Sequence, residues 1–93
     1  MSILIIGGDR LGEIPDNLKD MGFTRVYHIT GRKKRDILRE VSPQHEMVLV
    51  LTDFVGHEIA RMVKADAKRK RVRVLFARRS WSHIKCALDR LAN

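Results

Sequence analysis

Residues that could bind a phosphate group follow the first apolar run of the chain, in the segment GGDRLGE. Gly7 and Gly12 have the spacing of the two glycines in an ATP-binding P-loop. Glu13 and Ile14 stand where that motif needs a lysine and a hydroxyl residue. A dinucleotide fingerprint has one residue between its first two glycines, whereas Gly7 and Gly8 are adjacent. The segment therefore predicts neither P-loop ATP hydrolysis nor standard NAD binding.

Gly7 and Gly8 still allow another kind of phosphate contact. Glycine permits backbone conformations that let the main chain approach an anion closely, and Arg10 stands beside this turn. The pattern predicts an anion-binding turn. It leaves one alternative open, a turn that only allows the first helix to pack on the sheet.

Three further polar segments follow the other apolar runs, namely HITGRKK, TDFVGH and ARRSWS. Together with GGDR they hold six lysines and arginines, more than turns between strands and helices require. Lysine and arginine side chains are the usual partners of phosphate groups. The residues that we expect to bind a ligand are Gly7, Gly8, Arg10, His28, Gly31, Arg32, Lys33, Thr52, Asp53, His57, Arg78, Arg79 and Ser80.

His57 is the histidine with the clearest chemical context. It follows Asp53 by four residues, and if Asp53 begins a helix this spacing places both on one face. An aspartate can orient a histidine ring for proton transfer or for binding a metal or haem iron. The alternative is that Asp53 only caps the helix and His57 is a polar residue of its first turn. A structural zinc site is not expected, because the thiolate ligands are lacking.

The remaining candidates for catalysis are weak. Cys86 lies within a predicted helix, where we expect a small buried apolar residue rather than a nucleophile. His45 lies in a predicted loop beside Pro43, where we expect it to be solvated. The chain has no nucleophile elbow and no pair of carboxylates in a predicted cleft, so a binding protein is favoured over an enzyme.

Four strands and four helices must position these residues. Apolar and β-branched runs predict the strands, and the 3.6-residue periodicity of apolar residues predicts the helices. Pro15 and Gly22 suit the two ends of the first helix, and Ser80 suits the cap of the last. The predicted strands are 3–6, 24–29, 47–51 and 72–77, and the predicted helices cover about 15–21, 33–41, 53–69 and 80–91.

This alternation predicts an α/β fold, a small Rossmann-like domain of three layers. Strands that alternate with helices form a parallel sheet with right-handed connections, and we expect the flavodoxin-like strand order 2-1-3-4. We expect a single domain over residues 1–93. Ligands of such sheets bind outside the carboxyl ends of the strands, so the four polar segments should meet at one edge.

Composition favours an anionic partner. Nineteen lysines and arginines stand against eleven acidic residues, which gives a net charge of +8 and a pI near 10.4. The alternative is a basic protein whose charge serves only solubility. No apolar run approaches the roughly 20 residues of a membrane span, and the N-terminus does not resemble a signal peptide. With a single cysteine, these features favour a cytoplasmic protein.

Three segments of the chain form a familiar combination: IIGG near the start, His28-x-x-Gly31, and VLTDFVGHEIARMVKADAKRKRVRVLFARRSWSHIKCAL. Together they resemble the bacterial family DUF2325. The positions that carry the resemblance are Gly7, Gly8, His28, Gly31, Asp53, Val55, His57, Lys64, Lys68 and Ser80. The resemblance implies a small Rossmann-like domain and draws attention to Asp53 and His57. Many members carry a cysteine where this chain has Phe54 and a serine where it has Gly56, so no cysteine-dependent site is expected.

Two functions remain open from the sequence. The first is a non-catalytic module that binds a phosphate-bearing ligand, nucleic acid or nucleotide in preference to a metabolite. The alternative is a haem- or metal-binding sensor in which His57 is the ligand and arginines meet the haem propionates. A small domain with two open sheet edges gains from association, so we also expect a homodimer that pairs through 72–76 or the adjacent helix.

Overall fold

Four strands alternate with four helices in a computed structural model that describes residues 1–92. The strands are β1 (Ser2–Ile6), β2 (Arg25–Ile29), β3 (Met47–Leu51) and β4 (Val74–Ala77). The helices are α1 (Ile14–Asp20), α2 (Lys34–Glu40), α3 (His57–Lys70) and α4 (Trp81–Ala92). The predicted α/β architecture is confirmed, with each strand followed by a helix.

The strands form one parallel sheet in the order β2-β1-β3-β4, as predicted. In the central register, Ile5 of β1 lies between His28 of β2 and Leu49 of β3, and Leu49 pairs with Leu75 of β4. β1 and β3 are buried along their whole length because helices cover both faces. β2 and β4 are the two edge strands.

Two apolar clusters separate the sheet from its helices. Ile3, Ile5 and Leu49 pack against α1 and α4, where Leu18 and Ile84 have no exposed surface. On the other face, Leu4 and Ile6 of β1 and Val48 and Val50 of β3 pack against α2 and α3. Alternate residues of a strand point to opposite faces, so each central strand supplies both clusters. The result is the predicted three-layer sandwich.

The helix ends agree with the sequence in three cases. Pro15 lies in the first turn of α1, and Gly22 follows the end of that helix with a φ of +107°. Ser80 precedes α4, where its carbonyl accepts the Ile84 N–H at 3.1 Å and its hydroxyl the His83 N–H at 3.4 Å. Ser80 therefore caps α4 as expected.

The start of α3 differs from the prediction. Residues 52–54 form a turn, and α3 begins at His57 with Gly56 as its N-cap. The Asp53 carboxylate instead accepts the backbone N–H of Arg79 at 3.0 Å. Asp53 therefore neither caps α3 nor shares a helical face with His57, and the prediction that this helix begins at Asp53 was wrong.

β4 begins at Val74, two residues after the predicted start. The Val72 N–H donates to the carbonyl of Ala67 at 2.8 Å, and Arg71 adopts a left-handed conformation at the end of α3. Val72 therefore closes the helix rather than joining the sheet. Arg73 also lies outside β4, so the strand itself carries no charged residue.

Two further expectations were wrong. His45 is only 3% exposed, because its ring packs against that of Tyr27 instead of reaching solvent. Cys86, expected in the core, is exposed on α4. Among the helices of residues 1–92, none combines the length and the apolar composition that crossing a membrane requires.

Candidate functional site

The four polar segments meet at the carboxyl ends of the strands, at a surface that we call the carboxyl edge (residues 7–13, 30–33, 52–56 and 78–80). Backbone hydrogen bonds join neighbouring segments. The Gly7 N–H donates to the carbonyl of Ile29 and the Thr52 N–H to that of Ala77, each at 2.9 Å. The parallel sheet thus brings together residues that are more than 70 positions apart in the chain.

The turn after β1 requires glycine. Gly7 has a φ of +118° and Gly8 a φ of +77°, conformations that other residues rarely adopt. A Cβ atom on Gly7 would lie 2.9 Å from Cγ2 of Val55 and 3.2 Å from Cβ of Leu51. The main chain therefore lies directly on the segment that follows β3, and no side chain fits between them.

His28 holds this turn in place. Its Nε2 lies 3.0 Å from the carbonyl oxygen of Gly7 and 2.9 Å from that of Gly8. Because both oxygens can only accept, Nε2 must carry the proton and donate to them. His28 is thus a structural support of the glycine turn, and its Nε2 is not free to bind a metal.

Gly31 completes the same packing unit from β2. It has a φ of +81°, and a Cβ atom there would lie 3.0 Å from Cγ2 of Ile6 and 3.5 Å from Cγ2 of Val55. Val55 is buried beneath both Gly7 and Gly31. An apolar side chain inside the segment TDFVGH therefore fixes the spacing of three loops.

Arg79 links the loop after β1 to the loop after β4 at this edge. Its guanidinium donates to the carbonyl oxygen of Arg10, at 2.9 Å from Nε and 2.6 Å from Nη2. The Asp53 carboxylate accepts the Arg79 backbone N–H. Arg79 is therefore a clamp between the segments that follow β1 and β4, with part of its donor capacity already used.

Two other basic residues, Arg32 of the edge and the adjacent Lys34 at the start of α2, have acidic partners. Nη2 of Arg32 donates to both carboxylate oxygens of Asp9 at 2.8 Å, and Nζ of Lys34 donates to Glu58 at 2.9 Å. The hydrogen bond from Lys34 lowers the pKa of Glu58. These pairs are exposed and add little stability, but they offset two of the positive charges.

Apart from Arg79, whose guanidinium binds a carbonyl oxygen, three cations of the edge remain without an acidic partner. In the chain as described, Arg10, Lys33 and Arg78 form no ion pair, and all three are exposed. The hydroxyl-bearing residues Thr52 and Ser80 are exposed on the same edge. The structure thus presents free positive charge on loops whose backbones are fixed by glycine packing and by the Arg79 clamp.

His57 is exposed at the first position of α3. Over residues 1–92, no group of three or more histidine, cysteine, aspartate or glutamate side chains is placed to hold a metal ion. The metal-binding alternative therefore depends on His57 alone and stays a prediction.

The carboxyl edge is shallow. A groove between the segments after β1 and β4 has a volume of about 190 Å³, with Gly12, Asn17, Arg79 and Trp81 among its lining residues. Pockets that enclose small molecules usually measure about 300–1,000 Å³. The shape favours a ligand that lies across the surface.

Comparison with protein families gives one match. The model of the family described as "Uncharacterized protein conserved in bacteria (DUF2325)" matches residues 2–91. The chain belongs to the DUF2325 family. No curated protein and no solved structure matches it.

Five of the ten residues that carry the DUF2325 resemblance meet in this structure. Gly7, Gly8, His28, Gly31 and Val55 form the packing unit described above. In this DUF2325 chain these five residues build the shape of the carboxyl edge, while the free charge comes from other positions. The sequence indicated the five positions, but it did not indicate that they support one another.

Proposed function

We propose that this protein is a non-catalytic binding module whose carboxyl edge binds a phosphate-bearing ligand, with nucleic acid favoured over a free nucleotide. The observation that carries the proposal is the group of three exposed cations without acidic partners, Arg10, Lys33 and Arg78. They lie on loops that are already fixed, so binding an anion requires little further ordering of the backbone.

The shape and charge of the molecule support an extended ligand. The groove at the edge is smaller than a typical pocket for a whole nucleotide. A nucleic acid needs no enclosed pocket, because its backbone offers a phosphate to each cation in turn. The net charge of +8 adds a long-range attraction for such a polyanion.

Neutralising two of the free cations tests this proposal. In the double variant Arg10→Gln/Arg78→Gln, the plot of log affinity against log salt should become shallower. Each lost phosphate contact removes about 0.9 from the slope for duplex DNA and about 0.7 for a single strand. Arg79 is left unchanged because it clamps the loops. Fluorescence anisotropy between about 50 and 200 mM salt measures the slope.

The matched control removes the same charge from the opposite end of the sheet. Lys19 at the end of α1 and Arg25 at the start of β2 are both exposed. The variant Lys19→Gln/Arg25→Gln should change the slope much less than the edge variant. Equal slopes for the two variants would show that the edge is not a specific binding surface.

The haem alternative has its own test at the same edge. Purified protein is titrated with haem and its Soret absorption is compared with that of His57→Ala. A Soret band that is lost in the variant, with unchanged circular dichroism, would support a sensor with His57 as the ligand. Equal binding by both proteins would exclude His57 from that role.

We also propose a homodimer that forms through β4. This edge strand carries no charged residue, and its Val74, Leu75 and Phe76 are half-buried. An unguarded edge offers free N–H and C=O groups for pairing with a second copy. Light scattering after gel filtration should give twice the chain mass of 10.8 kDa. A mass near 10.8 kDa at micromolar concentrations would contradict the dimer.

A further inference from the structure

A row of basic residues lies along the outer face of α3. We call the α3 stripe the residues Arg61, Lys64, Lys68 and Arg71, all of which are exposed. The separations of three and four residues place Arg61, Lys64 and Lys68 on one face of α3, and Arg71 follows directly as the residue that caps the end of the helix. At 1.5 Å per residue the stripe is about 15 Å long. His57 lies one turn before it, so the stripe continues from the carboxyl edge.

The acidic residues of α3 are placed away from the stripe. Glu58 contacts Lys34 of α2, and Asp66 is buried, where it is paired with Arg69 and Lys70. Within residues 1–92, the four residues of the stripe form no ion pair. The stripe is therefore a continuous surface of uncompensated positive charge.

This arrangement acts against the stability of the helix. Like charges three or four residues apart on a helix repel each other, and α3 contains two such pairs of the stripe, Arg61 with Lys64 and Lys64 with Lys68. Arg71 adds backbone strain, since it has a φ of +60° and is the one non-glycine residue of the described chain with a positive φ. Glycine is favoured at this position of a helix end. Bound anions would relieve the repulsion.

We propose that the α3 stripe binds the phosphodiester backbone of a nucleic acid and extends the contact that begins at the carboxyl edge. This inference rests on the proposed function. A linear row of cations matches a linear row of phosphates, which duplex DNA presents at about one charge per 1.7 Å of its axis. The apolar face of α3, with Val63 and Ala67, is buried against the sheet. The helix thus lacks the exposed apolar face with which interfacial helices enter a membrane.

Three double variants with equal charge test the stripe. They are Lys64→Gln/Lys68→Gln on the stripe, Arg10→Gln/Arg78→Gln on the carboxyl edge and Lys19→Gln/Arg25→Gln as the control, and each lowers the net charge of +8 by two. Glutamine is a good helix former, so the stripe variant should keep its circular dichroism and should melt at a temperature no lower than that of the wild type. The probes are a fluorescein-labelled DNA duplex of two helical turns and an RNA strand of the same length.

The stripe variant should lower the salt slope on the duplex by about 1.8, which corresponds to an affinity loss of about 60-fold at 0.1 M salt when the affinities of variant and wild type converge at about 1 M. A slope equal to that of the control would overturn the stripe proposal. If the stripe variant loses affinity and the edge variant does not, the stripe is supported and the proposed role of the edge fails. Absence of binding to both probes, with binding to vesicles that contain phosphatidylserine, would overturn the nucleic-acid assignment.

Discussion

Replacement of Gly7 by alanine should destabilise the protein by about 4 kcal/mol, because two costs combine at this position. Left-handed backbone in a non-glycine residue costs on the order of 1–3 kcal/mol. The new Cβ would also lie 2.9 Å from Val55 and 3.2 Å from Leu51, both of which are buried, and overpacking costs about 1–3 kcal/mol. Urea denaturation followed by circular dichroism gives the free energy of unfolding.

Alanine substitutions at two other glycines measure the cost of backbone strain and the cost of overpacking separately. Gly8 has a φ of +77°, but a Cβ there would meet its neighbours only at ordinary contact distances of 3.8–3.9 Å. Gly8→Ala should therefore cost about 1–2 kcal/mol, from backbone strain alone. Gly56 has a φ of −66° and nothing within 4 Å of a Cβ. Gly56→Ala should cost no more than about 1 kcal/mol, from a weaker N-cap. Equal losses at Gly7 and Gly56 would contradict the packing of Val55 beneath the turn.

The Val55 contact also explains why one helix start could not be predicted. Asp53 is a good N-cap residue, and a local pattern places the start of α3 there. Val55 instead turns inward to fill the space beneath Gly7 and Gly31, and α3 begins only after this turn. The apolar runs predicted β1 and β3 because both strands are buried on both faces. A contact between distant loops leaves no such periodic pattern.

In the candidate site, too, some features could be predicted from the sequence and others depended on contacts between distant loops. Its residue types could be read from the sequence, and their convergence at the carboxyl edge followed from the predicted strand order. The hydrogen-bond partners of His28 and Arg79 could not be predicted, because both side chains bind backbone carbonyl groups. A bond to a carbonyl places no requirement on the side chain of the accepting residue. Which basic residues are free for a ligand could therefore be determined only from the structure.

His45 gives a prediction that the sequence did not suggest. Its ring centroid lies 5.0 Å from that of Tyr27 with an interplanar angle of 64°, and within the described residues neither ring nitrogen has a hydrogen-bond partner. Burial lowers the pKa of His45, an effect that the nearby carboxylates of Glu40 and Glu46 partly offset. The fold therefore favours the neutral ring.

Stability should fall in mild acid for this reason. Below the ordinary histidine pKa of about 6.5, the unfolded chain binds a proton that the folded chain resists. The His45 contribution is thus complete above that pKa and is lost as the pH falls towards the lowered pKa of the folded state, by at most about 1.4 kcal/mol per pH unit. Glu46, whose pKa is lowered to about 2 by hydrogen bonds from Ser2, loses its own contribution only below about pH 4.5. The two groups therefore act in separate pH windows.

The variant His45→Phe should remove the loss of stability that His45 causes in mild acid. Phenylalanine keeps an aromatic ring against Tyr27 and has no ring nitrogen to leave unpaired, so the free energy of unfolding at pH 7.5 should rise by about 1–2 kcal/mol. Urea denaturation between pH 5 and 7.5 should give a curve that is flatter than that of the wild type. Because Glu46 is present in both proteins, its contribution cancels in the difference between the two curves. Parallel curves for the two proteins would show that His45 binds its proton equally well in the folded and unfolded chain, and that its ring nitrogens reach water.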